Sequence, residues 1–272
     1  MLIHALCFKS NSNSFFSGAT LTTVIIYLPQ RFQVVNGDSP LEAGFRLLTL
    51  TVIISVGALS SGLLIQTFKV APLWVLIGCA SLQIIGLVLM GYLSADYTVH
   101  PAVYGFQVLL GLGFGGSLST SVMLIPLICS KQDMGMTTLF VPSRKDKHTT
   151  LFLSDTDSTL RLIKNSFTAA VGMGSVGQFR TLGGCVGIAI CTNVLNEHVS
   201  STLSNILTPL QLDELLLTVQ SIHTFAPSLQ EATRQAYAEG YNTQMRVMAA
   251  FGGAVMLSTI LLWERTPRRQ LQ

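Results

Sequence analysis

Charge is what this chain has least of. Of its 272 residues, 11% are Asp, Glu, Lys or Arg and 49% are hydrophobic, and the mean hydropathy is +0.54. A soluble domain carries roughly 25% charged residues, so the composition excludes an ordinary water-soluble globule and points to a membrane. The net charge of +3 is too small to imply a nucleic-acid partner. Cysteine is scarce too. Cys7, Cys79, Cys129, Cys185 and Cys191 show no metal-ligand or redox spacing. Most lie in or beside apolar runs, where cysteine acts as a small hydrophobe. No Asn-x-Ser/Thr sequon occurs. The N-terminus, MLIHALCFKSNSNS, has an uncharged leading region and a short apolar run, which makes a poor signal peptide.

Long apolar runs are what is present. A spanning helix needs about 20 mostly apolar residues, and six segments qualify: 14–34, 43–66, 71–94, 101–128, 167–195 and 243–263. The expectation is an all-α membrane protein with six transmembrane helices. Pro29 should kink or unwind the end of the first. The following NGDSP, with an Asn-Gly pair and a proline, reads as a turn. Trp74 and Tyr92 bracket the third span at the depth of interfacial aromatics. Outside the spans lie an N-terminal tail (1–13), a loop (130–166), a long outer connection (196–242) and a basic tail (264–272). The loop 130–166 is dense in charge and has no strong period, so it reads as a disordered cytoplasmic insertion. The outer connection carries two helix starts: Thr208-Pro209, an N-cap followed by proline, and Ser228 to Glu231, a capping box. The second of these surface helices can run into the sixth span.

Orientation follows from lysine and arginine in the loops. With a cytoplasmic N-terminus, the inner side holds eleven basic residues, including Lys9, Lys69, Arg265, Arg268 and Arg269. The outer side holds four: Arg31, Arg46, Arg234 and Arg246. Both termini are therefore expected in the cytoplasm.

The spans are poor in reactive groups. No Asp, Glu or His lies well inside any of them; Glu42, Asp96, His100, Glu197 and Glu239 fall at edges or in loops. These residues do not supply an intramembrane carboxylate for proton coupling. There is no HExxH, no GxGD pair and no His in a span to activate a serine, which argues against an intramembrane enzyme. The threefold Pro-x-Asp/Glu-x-x-Lys/Arg repeat of mitochondrial carriers is missing. No metal or cofactor is expected.

Arg180 is the charge placed well inside a span. Such a charge costs about 2.5–3.5 kcal/mol at the bilayer centre. It has two readings: a cavity-lining cation that contacts a substrate or a carboxylate, or a side chain that snorkels to the headgroups. Gln178, Tyr27, Gln33, Gln107 and Ser117 are the other substrate-cavity candidates, with interhelical hydrogen bonding as their alternative role. Gly111-xxx-Gly115 and Gly183-xxx-Gly187 are small-xxx-small patterns that let helices touch. Neither has the Lys-Ser/Thr of a phosphate loop. Glu42 and Arg46, four apart, predict a local ion pair.

Four stretches carry a family likeness: YLPQRFQVVNGDSPLEAGFRLL, QVLLGLGFGGSLST, GQFRTLGGCVGIAICTNVLN and YAEGYNTQMRVM. They resemble the major facilitator superfamily, and within it the fungal drug:proton antiporter branch with fourteen spans. The resemblance runs from about Phe15 to Arg265 outside the charged loop and matches the last six spans. It implies the C-terminal half-bundle of that fold, a three-plus-three inverted repeat. The implied function is half of an exporter of small hydrophobic compounds, proton-coupled in the full-length family. The implied partners are the lipid bilayer, a small-molecule substrate, and a missing N-terminal half or a second copy; no nucleic acid is among them. The implied location is the plasma membrane, with the vacuolar membrane as the alternative. In the family, Asp133-Met134 would run almost directly into Ala170-Val171. Residues 135–169 therefore read as a retained intron, and the alternative function is a truncated or mis-spliced fragment without transport of its own.

Overall fold

The computed structural model describes residues 2–93, 99–129, 153–204, 206–208, 211, 215 and 227–262; residues 2–8, 125–129, 153–171 and 227–228 are described by backbone alone. Six helices are delimited among them: α1 (Leu2–Val34), α2 (Pro40–Gln66), α3 (Pro72–Met90), α4 (Ala102–Cys129), α5 (Leu153–Leu203) and α6 (Pro227–Leu261). No strand occurs among the described residues.

The connections follow local chemistry. Helix α1 passes through Pro29 and continues to Val34, so the expected unwinding of its last turn does not occur. Proline removes one backbone bond, and membrane helices tolerate that loss. The chain then turns at Gly37, whose φ of +73° is open to glycine and costly for other residues. That turn brings the Asp38 N–H to the Phe32 carbonyl at 3.1 Å. Ser39 caps α2: its Oγ accepts from the Glu42 N–H, and the Glu42 carboxylate accepts from the Ser39 N–H at 2.9 Å. Pro40 takes the first helical position, where its missing N–H costs nothing.

Apart from α3 and α4, the main neighbours in space are not neighbours in sequence. Helix α1 lies parallel to α5: Gly18 meets Arg180, Phe15 meets Gly183 and Ala19 meets Gly187. Helix α2 lies parallel to α4, with Leu50 at Gly111 and Ile54 at Gly115. Helix α3 runs antiparallel to α4, and α6 runs antiparallel to both α1 and α3. Helices α2 and α3 both pack on α4 and scarcely on each other. The main core gathers Val24, Tyr27, Phe32, Leu110, Phe114, Tyr241 and Met248 from α1, α4 and α6.

The glycines at these crossings leave no room for a side chain. A Cβ on Gly183 would collide with the Phe15 carbonyl, and one on Gly115 with the Ile54 carbonyl. A Cβ on Gly111 would sit 2.8 Å from Ile53, and one on Gly187 2.7 Å from the Ala19 carbonyl. Backbones approach this closely in membranes where small residues line the contact.

Several boundaries differ from the sequence expectation. Residues 2–13 are the start of α1 rather than a tail. The charged segment is helical from Leu153 onward, so 153–166 is not loop; residues 130–152 lie outside the described residues. Helix α5 runs on to Leu203, beyond 195. Helix α6 starts at Pro227, so Ser228 lies inside its first turn, but the helix runs unbroken into the sixth expected span, the continuation that the sequence allowed. Polar composition suggested loops, but neither 2–13 nor 153–171 contains glycine or proline, and extending a formed helix is far easier than nucleating one. The basic tail, residues 264–272, lies outside the described residues.

Four of the six helices are long and apolar enough to cross a membrane: α2, α3, Ala102–Leu124 of α4 and Leu229–Leu261 of α6. Among the described residues, α1 and α5 do not meet that composition. Both are diluted by polar side chains, many of which face protein: Asn13, Ser14, Ser17, Thr20 and Thr23 of α1 are all buried.

Candidate functional site

The polar residues of α1 recur every three or four positions, so they share one face. That face meets α5 and α6. Asn13 Nδ2 donates to Thr259 Oγ1 at 2.6 Å and Val255 O at 3.4 Å. The Tyr27 hydroxyl lies 2.6 Å from Thr192 Oγ1, which itself donates to Ile188 O. Arg31 Nη1 donates to Asn242 Oδ1 at 2.9 Å and Ala238 O at 3.3 Å. Asn242 in turn donates to Leu93 O at 2.8 Å. Beside this seam Gln244 Nε2 donates to Cys191 O at 2.7 Å. The free space against Tyr27, Arg31 and Tyr241 is only about 10 Å³, about enough for one water. The seam is a packed polar contact, not a substrate cavity.

The six cavity candidates do not converge. Tyr27 is bound into the α1–α5 contact. Ser117 donates to Phe114 O at 3.1 Å and accepts from Gln83 Nε2 at 2.9 Å, which ties α4 to α3. Gln107 is fully buried on α4, and neither end of its amide has a partner among the described residues. Gln33 is half-buried. Gln178 is exposed on α5. Arg180 is half-buried; its Nη2 is enclosed without a hydrogen-bond partner among the described residues, and its own carbonyl lies against Gly18. Glu42 is not the partner of Arg46. Arg46 pairs with Asp38, Nε to Oδ2 at 2.6 Å, and donates to the Tyr104 hydroxyl at 2.8 Å. The Nε–Oδ2 contact makes no hydrogen bond; the pair is hydrogen-bonded through Nη2, which donates to Asp38 Oδ1 at 3.2 Å.

Gln83 and Gln244 escaped the sequence reading. Both are fully buried and donate to backbone carbonyls of a neighbouring helix, Gln83 to Gly113 O at 2.9 Å. A lone carboxamide in the apolar run SLQIIGLVL was the signal for the first. Gln244 sits at the edge of the expected sixth span, where a polar residue gives no signal of burial. Among the described residues no three His, Cys, Asp or Glu side chains gather where a metal would bind.

The exposed faces differ in kind. Helix α3 exposes Trp74, Gly78, Ile85 and Val88, and α6 exposes Ala250, Leu257, Ile260 and Leu261. Those faces suit lipid. Helix α5 instead exposes Gln178, Thr181, Cys185, Thr192 and Asn193 alongside Phe179, Leu182 and Val186. A carboxamide facing hydrocarbon without a partner costs several kcal/mol, roughly 2–7. The α5 stripe therefore suits water or protein better than lipid, and Arg180 lies beside it.

No protein-family model matches the chain, and no solved structure matches it. Curated relatives do. An MFS-type transporter of Fusarium mangiferae, FPY5, is 35% identical over 257 residues, covering 94% of this chain and 37% of the relative. An MFS-type transporter of Penicillium citrinum, gkaD, is 26% identical over 95% of this chain and 39% of its own length. The efflux pump DEP3 of Alternaria brassicicola is 34% identical over 111 residues, 41% of this chain and 19% of the pump. The chain is similar to fungal MFS-type transporters and efflux pumps. It spans somewhat over a third of the length of the two relatives that it matches end to end. These relatives are transporters rather than enzymes, and with the apolar helices they mark the chain as an integral membrane protein.

Proposed function

We propose that the chain forms the C-terminal six-helix bundle of a fungal major-facilitator exporter of small, mostly hydrophobic compounds. All six helices cross the membrane in this reading, α1 and α5 among them because their polar residues face protein or a cavity. The observation that carries it is the polar exposed stripe of α5 with Arg180 at its edge. Substrate sites in this fold lie near the midplane between two bundles, and the α5 stripe is the outer face chemically fit to border such a cavity.

The charge distribution supports cytoplasmic termini, and the likeness to fungal efflux pumps supports a plasma-membrane location, with the vacuolar membrane as the alternative. The basic residues at the opposite end are engaged by protein. Arg46 pairs with Asp38, Arg234 with Glu231 at 2.6 Å, Arg31 with Asn242, and Arg246 donates to Gly91 O while its guanidinium lies 4.9 Å from the Tyr92 ring centre. At the end that carries Lys9 and Lys69, Lys9 donates to Leu261 O at 2.8 Å and Lys69 is exposed.

Efflux tests the assignment. Cells expressing this chain together with the N-terminal bundle of the Fusarium mangiferae relative should retain less of a fluorescent hydrophobic compound than cells expressing either piece alone. Equal retention at matched expression would overturn the reading, and efflux by the chain alone would defeat the need for a second bundle. Arg180→Ala should lower efflux with expression unchanged. Undiminished efflux would leave snorkelling as the role of Arg180.

A further inference from the structure

On the far side of the bundle from α5, a groove of about 550 Å³ opens between α2 and α3. Its volume falls within the roughly 300–1,000 Å³ of small-molecule pockets. It exists because α2 and α3 rest on α4 and leave a gap between themselves. Leu112 and Gly116 of α4 form its floor; Leu64, Gly78 and Leu82 line its walls; Trp74 stands at its mouth. A Cβ on Gly78 would meet nothing within 4 Å, so the absent side chain leaves the groove open.

The lining is mostly apolar and carries no charged side chain. Its hydroxyls are taken up by their own helices: Ser60 donates to Gly57 O at 3.0 Å, Ser61 to Ala58 O at 2.9 Å and Ser81 to Ile77 O at 2.9 Å. The rest of the lining is largely hydrocarbon and glycine backbone, so hydrocarbon is the occupant that it favours over this depth. From Leu82 to Trp74 the groove follows α3 for about 12 Å at 1.5 Å per residue. That approaches half of the roughly 30 Å hydrocarbon core of a bilayer. The groove therefore reaches from near the midplane to one interface.

A cation waits at that interface. Exposed Lys69 sits in the turn between α2 and α3, between exposed Phe68 and the lining residue Val70. Its φ is +51°, a left-handed conformation that costs a non-glycine residue about 1–2 kcal/mol. The turn is held by Thr67 N–H to Leu63 O at 2.8 Å and Val70 N–H to Leu64 O at 3.3 Å. An interfacial tryptophan and a lysine at the end of an apolar groove one leaflet deep match one kind of molecule.

We propose that the α2–α3 groove is a phospholipid site. One acyl chain lies along Gly78 and Leu82, and an anionic headgroup meets Lys69. This depends on the chain being in a membrane and not on transport, so it stands or falls apart from the efflux assignment.

The test uses the full chain in lipid nanodiscs. The protein has two tryptophans, Trp74 and Trp263, so Trp263→Phe leaves Trp74 as the sole emitter. Phospholipid brominated on its acyl chains is titrated into unbrominated phosphatidylcholine. Expected is quenching of Trp74 that saturates at low mole fraction, and at lower fraction for brominated phosphatidylserine than for brominated phosphatidylcholine. Gly78→Leu fills the groove and should return the curve to the gradual rise of bulk lipid. Ser81→Phe, one turn away, is a second plug should the first fail to fold. Lys69→Gln should weaken the phosphatidylserine site about fivefold, the equivalent of ~1 kcal/mol for one lysine near an anionic surface. Non-saturating quenching identical in the unplugged and plugged proteins would overturn the proposal. So would a saturable site filled better by a brominated sterol or indifferent to Lys69.

Discussion

Gly37 and Asp38 set how α1 hands over to α2. A Cβ on Gly37 would meet no atom within 4 Å, so substitution there isolates the backbone term. Gly37→Ala should cost about 1–2 kcal/mol, read as a lower unfolding midpoint in detergent; an unchanged midpoint would mean that the turn tolerates another conformation. The next residue decides between two ion pairs. Spacing alone favoured Glu42 with Arg46, but Glu42 is occupied at the Ser39 cap while Asp38 reaches Arg46 across the turn. Asp38 is 12% exposed and Arg46 29%, so some solvent screening applies. Asp38→Asn should cost roughly 1–3 kcal/mol. Glu42→Gln should cost little, because glutamine also closes a capping box. If Glu42→Gln proved the more damaging in paired thermal melts, the partner assignment would be wrong.

At the scale of the element, the glycines of α5 divide by what they touch. Gly183 lies against the Phe15 backbone, where an added Cβ cannot fit, whereas Gly177 has open space around it. Gly183→Ile must push α1 and α5 apart and should cost about 1–3 kcal/mol or more. Gly177→Ala should instead raise the melting point, since alanine is about 0.8–1.0 kcal/mol better than glycine in a helix. Similar melting points for the two variants would contradict the parallel α1–α5 contact. The six apolar segments of the sequence each map onto one helix, and four of those helices are long and apolar enough to cross a bilayer. The sequence reading missed the helix starts at Leu2 and Leu153 because hydropathy reports the solvent, not the backbone, whereas the capping signal at Ser228 lies one residue from the start at Pro227. It located Tyr27 and Ser117 as polar but not their partners Thr192 and Gln83. Those contacts depend on which helices lie side by side, and pairings such as α1 with α5 leave no mark in local composition.

For the molecule as a whole, the surface carries two chemistries that predict two surroundings. Faces such as Ile85 and Val88 of α3 can sit in lipid at no cost. The α5 stripe cannot do so cheaply, since Gln178 and Asn193 would surrender hydrogen bonds to water. Cys185 is exposed on that stripe, while Cys79 and Cys191 are buried, so the chain carries its own reporter. With Cys7 and Cys129 replaced, a water-soluble maleimide should label Cys185 in membranes where the chain is assembled with the N-terminal bundle. Asn193→Cys should label as well, and Val88→Cys should not. A hydrophobic competing compound should slow labelling at Cys185 if the stripe borders the transport cavity, and leave it unchanged if the stripe is only wet surface. Protection of Cys185 equal to that of Val88→Cys would place α5 against lipid or sealed protein, and would remove the observation on which the exporter assignment rests.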